Sequence, residues 1–260
     1  MSKNTRLNTL LELLAERGQL DVEQAATDLA VSPATIRRDL DTLAEQQLLR
    51  RTHGGAVPNS TAYDLPLRYK TARHASEKRR IAETAAQLVS PGSIIGASGG
   101  TTTTEVARVL ATRSDLQEQG VPPTTLVTNA LNIANELTVR PHMKIVVTGG
   151  VARQQSYELI GPLAREIPQQ LALDTMFLGV DAIDVELGAC AHHEGEASIN
   201  QLMASRARRV VVVADSSKLA RHAFARICAI EHVDVLVTDS GASTATTDRF
   251  TQAGVDVMVA

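Results

Sequence analysis

Aromatic residues are almost missing from this chain. Of 260 residues, three are Phe, three are Tyr and none is Trp, 2% in all. Faces on which bases or sugar rings could stack are scarce, which excludes a single-strand nucleic-acid channel built on them. A sugar would have to be held by hydrogen bonds and a charged handle. Cysteine is rarer still: Cys190 and Cys228 form no disulfide framework and no Cys-x-x-Cys pair. Reduced thiols in a cytoplasmic protein are the expectation. Long apolar runs are absent too. The longest, Val210–Ala214, has the length of a buried strand, far below the roughly 18 residues of a membrane span. The opening residues MSKNTRLNTL contain no apolar core of a secretory leader. No membrane partner is expected. Finally, 26 Lys and Arg against 29 Asp and Glu leave a net charge of −3, which excludes a uniformly basic coat for nucleic acid and permits a local basic face.

What is present suffices for a sizeable core, since 43% of residues are hydrophobic. The charge is unevenly spread. Residues 1–58 carry seven basic and eight acidic side chains, residues 59–80 six and two, and residues 81–260 thirteen and nineteen. The middle segment, net +4, opens with the turn-prone Val57-Pro58-Asn59-Ser60-Thr61 and reads as a linker. The expected division is a small head at 1–58, a linker at 59–75 and a body at 76–260.

The head is helical by pattern. Leu7, Leu10, Leu11 and Leu14 recur at helical spacing and stop at Gly18; Val22, Ala25, Ala26 and Leu29 repeat it. Asp21 is a candidate N-cap with Gln24 as its capping-box partner. Ser32-Pro33 opens a third helix, cap residue then proline, with Ile36, Leu40 and Leu43 inward. The Arg206, Arg208, Arg209 trio reads as the end of a later helix. In the body, Ser93–Ala97, Leu126–Thr128, Lys144–Thr148, Met176–Val180, Val210–Ala214, Val235–Thr238 and Val255–Val259 are short apolar runs separated by helix-like stretches. That alternation predicts an α/β domain with a mostly parallel sheet covered on both faces.

Two helices, a tight turn and a third helix make a helix-turn-helix, whose last helix enters the major groove by its N-terminal end. Ala34, Arg38 and Asp41 face away from the inward residues, Arg37 lies on the flank, and Ser32 and Thr35 crowd the start. Hydroxyls, guanidinium groups and a helix N-terminus are the groups that bind phosphates and base edges. Asp39 rotates toward the core and is expected to pair with an arginine of the head. A wing follows at 48–57, with Arg50, Arg51 and His53 as phosphate or minor-groove contacts. The competing reading is a plain three-helix bundle with solvated arginines.

These residues resemble a family. Arg6, Leu10 and Leu14, then Ser32-x-x-Thr35-Ile36-Arg37-Arg38-Asp39-Leu40 and Arg51-x-His53-Gly54-Gly55-Ala56, are similar to the N-terminal signature of the DeoR/GlpR bacterial transcriptional regulators. The resemblance implies a winged helix-turn-helix that binds double-stranded operator DNA, usually as a repressor, with the reading segment on residues 20–39.

In the body, Gly96-Ala97-Ser98-Gly99-Gly100-Thr101-Thr102-Thr103 joins a strand to a helix through glycines and hydroxyls, a cradle for an anion. It is neither a Walker A loop nor a dinucleotide fingerprint, and an ordinary capped turn remains the alternative. Other strand ends carry Thr128-Asn129, Thr148-Gly149-Gly150, Asp181 and Asp215-Ser216-Ser217-Lys218. Ligands bind at the carboxyl ends of such strands, and these side chains suit a phosphorylated sugar. No catalytic set, cofactor or metal site is expected; His192-His193-Glu194-Gly195-Glu196 lacks a third ligand at a recognisable spacing and reads as a loop leading into a helix.

The body also resembles the DeoR/GlpR effector domain, through Arg79-x-Ile81-Ala82, Gly100–Thr103, Val127-Thr128-Asn129, Thr148-Gly149-Gly150-x-x-Arg153, Leu159-x-Gly161-Pro162 and Ala214–Lys218. That implies a fold similar to ribose-5-phosphate isomerase and CoA-transferases, and a sugar-phosphate effector that alters DNA affinity. Where members of that family commonly carry Asp, this chain has Ser98. A homo-oligomer, dimer or tetramer, is expected because one small head offers limited contact. Two rival functions stand beside this one. The first is an aldose–ketose phosphate isomerase with Asp181, Glu194 or Glu196 as base beside Lys218. The second is an architectural protein that ignores ligands.

Overall fold

The computed structural model describes residues 3–46, 48–58, 67, 74–118 and 120–260. The chain divides into two compact units, Met1–Arg73 and His74–Ala260. Apart from Leu67, His74 and Ala75, the segment expected as linker at 59–75 lies outside the described residues.

In the first unit, α1 (Lys3–Arg17) buries Leu7, Leu10, Leu11 and Leu14 against Val22, Ala25 and Ala26 of α2 (Val22–Asp28) and Ile36, Leu40 and Leu43 of α3 (Pro33–Glu45). These are the helical-spacing residues, so the stripes that the sequence shows are the faces that meet. Asp21 caps α2 by accepting from the N–H groups of Glu23 and Gln24. The expected capping box is only half built, because the Gln24 amide turns along the helix and donates to Asp28 instead. Ser32 caps α3 through the Thr35 N–H. The wing is an antiparallel pair, β2 (Leu49–Arg51) and β3 (Gly55–Pro58). The two-residue β1 (Leu20–Asp21) adds to its other side, giving the order β1-β3-β2. Gly55 makes this possible: a Cβ there would stand 1.7 Å from the Leu20 carbonyl oxygen.

The second unit is built on seven strands, β4 (Ile94–Ala97), β5 (Thr124–Thr128), β6 (Met143–Val147), β9 (Leu173–Gly179), β12 (Ala207–Val213), β14 (Val235–Thr238) and β15 (Asp256–Val259). Every pairing among them is parallel, in the order β15-β14-β12-β9-β4-β5-β6. They are the seven apolar runs of the sequence, and the cause is double coverage. Phe177, Val211, Val213, Val235 and Val237 pack with Ile81, Ala82 and Ala85 of α4 (Ala75–Ala86), Leu110 of α5 (Thr101–Thr112) and Ile133 of α6 (Leu131–Leu137). Their neighbours Met176, Leu178, Val210, Val212 and Leu236 point the other way, toward Ile199 and Met203 of α8 (Glu194–Ser205) and Phe250 of α9 (Thr244–Gln252). A four-residue helix, α7 (Glu166–Gln169), precedes β9.

Two small sheets complete the unit. One is the hairpin β7 (Val151–Ala152) with β8 (Leu159–Ile160); the other joins β10 (Ala182–Asp184), β11 (Gly188–Ala191) and β13 (Ala225–Cys228). Of the arginine trio, Arg206 ends a helix as expected, as the C-cap of α8, whereas Arg208 and Arg209 lie in β12.

The sheet order reverses beside β4. The chain builds outward from β4 to β5 and β6, then returns to β4's other side for β9 and moves away through β12, β14 and β15. The carboxyl ends of β4 and β9 therefore flank the topological switch point, the position at which open α/β sheets receive ligands.

Candidate functional site

In the head, the start of α3 is open to solvent. Ser32, Ala34, Arg37 and Arg38 are exposed and Thr35 is half-buried. The Ser32 and Thr35 hydroxyls lie 2.9 Å apart. Arg37 reaches Glu23 at 3.1 Å in an exposed pair, and Arg38, Arg50 and His53 are exposed. Arg51 has a different setting. It is half-buried, with Nε on Asp41 at 2.9 Å and a terminal nitrogen on the Gly55 carbonyl at 2.7 Å, so it braces the wing against α3. Asp39 is buried and accepts from Arg6 at 2.5 Å, the pairing that its rotation toward the core calls for. Hydrogen bonding to Asp39 raises the Arg6 pKa.

In the second unit, β4 ends in Ser98-Gly99-Gly100, and α5 begins at Thr101. Gly100 holds φ +131 as the residue before α5 and gives no side-chain cap, leaving the first-turn N–H groups uncovered by any side chain of the cap. Thr103 and Thr104 turn their hydroxyls back to the Gly100 carbonyl at 3.0 and 2.6 Å. The Thr102 hydroxyl is buried without a partner among the described residues. Ser98 stitches the switch: its hydroxyl accepts the Gly179 N–H from the end of β9 at 2.9 Å and donates to the Gly99 carbonyl at 3.1 Å.

The other expected residues reach this point to different degrees. Asn129 does so through Glu158, as shown below. Asp181, two residues past β9, accepts the His192 N–H at 2.9 Å. Lys218 extends to the Val180 carbonyl at 2.5 Å, which brings it to the carboxyl end of β9. Burial presses the neighbouring Asp215 carboxyl upward, but Ser217, Lys218, His74 and Lys78 together hold its pKa below the ordinary value. The Thr128 hydroxyl is committed to the Ala97 carbonyl and the Ala130 N–H, so it ties β4 to β5. Gly149 and Gly150 turn the chain into the β7–β8 hairpin, and Gly150 sits where a Cβ would meet that of Ala164 at 2.7 Å.

Sequence reasoning missed Glu158 and Asn200. The hairpin folds over the end of β5, with Leu159 N–H on the Asn129 carbonyl and Leu131 N–H on the Tyr157 carbonyl, and this delivers Glu158 onto the Gly99 turn. A Cβ at Gly99 would lie 2.2 Å from Glu158 Cγ and 2.6 Å from its Oε1. Glu158 Oε2 accepts from the amides of Asn129 at 2.8 Å and Asn200 at 3.2 Å, and Asn129 also donates to Asn200. Burial, with Glu196 and then Asp181 adding repulsion, overrides these amides and pushes the Glu158 pKa up to about 8. Arg153 pairs with Glu196 at 3.2 Å, both nearly buried. One signal was available: Glu158 is the lone acid between Glu136 and Glu166 and leads into the apolar Leu159–Ala164.

His193 accepts the Gly195 N–H and caps α8, with Glu194 and Glu196 in the first turn. Cys190 and Cys228 are buried on β11 and β13, and burial raises both thiols, Cys228 to about 11. No helix among the described residues is long and apolar enough to cross a membrane.

Comparison with known proteins agrees with both halves of this description. Residues 6–62 match the DeoR-like helix-turn-helix domain and residues 73–240 the DeoR C terminal sensor domain. The chain is 32% identical over 257 residues to a putative aga operon transcriptional repressor of Escherichia coli O157:H7, covering 98% of this chain and 93% of that one. It is 34% identical over 240 residues to the glycerol-3-phosphate regulon repressor of Escherichia coli K12, covering 92% of each. Among solved structures, ribose 5-phosphate isomerase A of Methanocaldococcus jannaschii aligns over 56% of this chain and 54% of that one at 18% identity, with a TM-score of 0.41. With a helix-turn-helix head, a parallel-sheet sensor unit and relatives named as repressors along nearly its whole length, the chain belongs to the DeoR family of transcriptional regulators.

Proposed function

We propose that the protein represses a carbohydrate-metabolism operon by binding double-stranded operator DNA as a homo-oligomer, and that a phosphorylated sugar bound at the β4–β9 switch point controls its affinity. The observation that carries the effector half is the turn Ser98-Gly99-Gly100 running into α5. It presents a helix N-terminus with no side-chain cap and a buried hydroxyl without a partner at Thr102, at the place where such sheets take ligands. Lys218 at the end of β9 supplies a cation nearby. On the DNA side, Ser32, Ala34, Thr35, Arg37 and Arg38 form the face that enters the major groove, with Arg50 and His53 on flanking phosphates and Arg51 holding the wing in place. For the ligand to regulate, it must bind the operator-competent state and the released state with different affinity.

The test is fluorescence anisotropy of duplexes from the region upstream of the protein's own gene, at fixed salt, with and without a panel of sugar phosphates. A panel member that changes the operator affinity supports the proposal. Operator binding that no member alters overturns the effector half. Conversion of an aldose phosphate to a ketose phosphate without operator binding would make the protein an isomerase.

A further inference from the structure

The switch point holds a contradiction that the sugar-phosphate reading leaves unresolved. The α5 N-terminus attracts anions, yet a carboxyl group, Glu158, lies directly over Gly99, one residue before the helix cap. If ionised, it would repel a phosphoryl group seated on that turn. The charged neighbours that shift its proton affinity are acidic. Glu196 on α8 and Asp181 beyond β9 both add negative potential at Glu158. The arginine of its own hairpin, Arg153, is paired with Glu196. From β5 and α8 it meets the neutral amides of Asn129 and Asn200.

The hydrogen bonds resolve the conflict. Both amides donate to Oε2, so Oε2 behaves as the carbonyl oxygen of an acid. Oε1 is left as the oxygen on the Gly99 side, and a proton on it has the phosphate turn in front of it. A second observation marks this corner as made for a ligand. Asn129 Oδ1, fully buried in the same ring, has no partner among the described residues. A hydroxylated anion would satisfy it.

We infer that Glu158 enters the site as a neutral carboxylic acid and donates its O–H to the phosphoryl group held on the first turn of α5, with Asn129 Oδ1 accepting from an adjacent sugar hydroxyl. The inference rests on the sugar-phosphate reading of this site. Glu158 is then a ligand-binding residue supplied by the β7–β8 hairpin, and above about pH 8 the site takes up its anion together with a proton. Ser98 has a separate task, because its hydroxyl is held by Gly179 and Gly99.

Isothermal titration of the full chain tests this with ribose 5-phosphate, glucose 6-phosphate, glycerol 3-phosphate and inorganic phosphate. The titrations run above about pH 7, where phosphate monoesters have passed their second ionisation near about 6. The wild-type dissociation constant for the tightest probe should be flat up to about pH 8 and then weaken by about tenfold per pH unit, the signature of one required proton. Glu158→Gln keeps a neutral donor and should bind within about threefold of wild type with no pH dependence. Glu158→Ala should lose about tenfold or more, with its thermal midpoint recorded to separate misfolding from a lost contact. Wild-type binding that stays constant from pH 7 to about 9.5, or full affinity in a folded Glu158→Ala, overturns the inference and leaves the sugar-phosphate reading standing. If no probe binds the wild type, that reading falls and the inference with it.

Discussion

In the head, charge that faces a future partner is held loosely. Arg37 and Glu23 meet at 3.1 Å with more than half of each side chain exposed, and Arg38 and Arg50 are exposed too. Around Gly99 in the sensor unit the charges are sealed in, although pairs elsewhere on that unit, such as Arg79–Glu83, are exposed. Arg153 and Glu196 are 12% and 8% exposed, and Glu158 sits fully buried among amides and acids. The difference suits the two partners proposed above. A duplex is a long anion that brings its own geometry, so solvated side chains can exchange an internal carboxylate for a phosphate at small cost. A small ligand brings little, and a prearranged dry corner must supply orientation.

The largest effect should come from a place where the head breaks its own pattern. Arg6→Met leaves Asp39, only 3% exposed, without its partner. The head should lose about 3–5 kcal/mol, read as an early unfolding transition in denaturant. A wild-type midpoint would mean that the head has no sealed charge and differs from the sensor unit completely. Next comes operator binding. Arg38→Ala should cost about 1–3 kcal/mol in affinity and reduce the salt slope by about 1, as measured by anisotropy at several salt concentrations. Arg37→Ala should cost less, because removing it also frees Glu23 from a pairing that DNA would have had to displace. Equal losses would show that the exposed pair is not an exchangeable one.

A subtler test concerns pH and stability. Folded Glu158 keeps its proton up to about 8, whereas an unfolded glutamate releases it near about 4.3. Between those values the native state binds the extra proton, so stability falls as pH rises and stops falling above about 8. Thermal midpoints from about pH 6 to about pH 9 should therefore decline in the wild type and decline less in Glu158→Gln. Identical slopes would place Glu158 among the solvated charges. The smallest effect is local: Ser32→Ala removes the α3 cap and should cost about 1 kcal/mol of thermal stability.

The sheet was legible because coverage on both faces writes strands as unbroken apolar runs, as in Val210–Val213, where successive valines point to opposite cores. The small sheets were not legible. Gly188–Ala191 and Ala225–Cys228 are short, rich in small residues and paired through a register irregularity, so neither length nor alternation announces them. The two residues of β1 are shorter than any period. At the candidate site, the turn into α5 was readable because paired glycines mark bare backbone at a strand-to-helix junction. Glu158 was not, since its place over Gly99 depends on a hairpin docking across the end of β5. No spacing in the chain encodes that contact.

The Arg37–Glu23 pair has a meaning beyond its energy. A regulator searches a chromosome on which almost every site is wrong, and each unpaired arginine prolongs its stay at those sites as much as at the right one. By covering Arg37 with its own Glu23, and by holding Arg51 on Asp41 and the wing backbone, the head lowers its grip on arbitrary sequence. A duplex that takes up Arg37 must first displace Glu23. On the proposed reading, Glu23 competes with DNA for Arg37, which shortens the stay at wrong sites and leaves the protein free to find its operator.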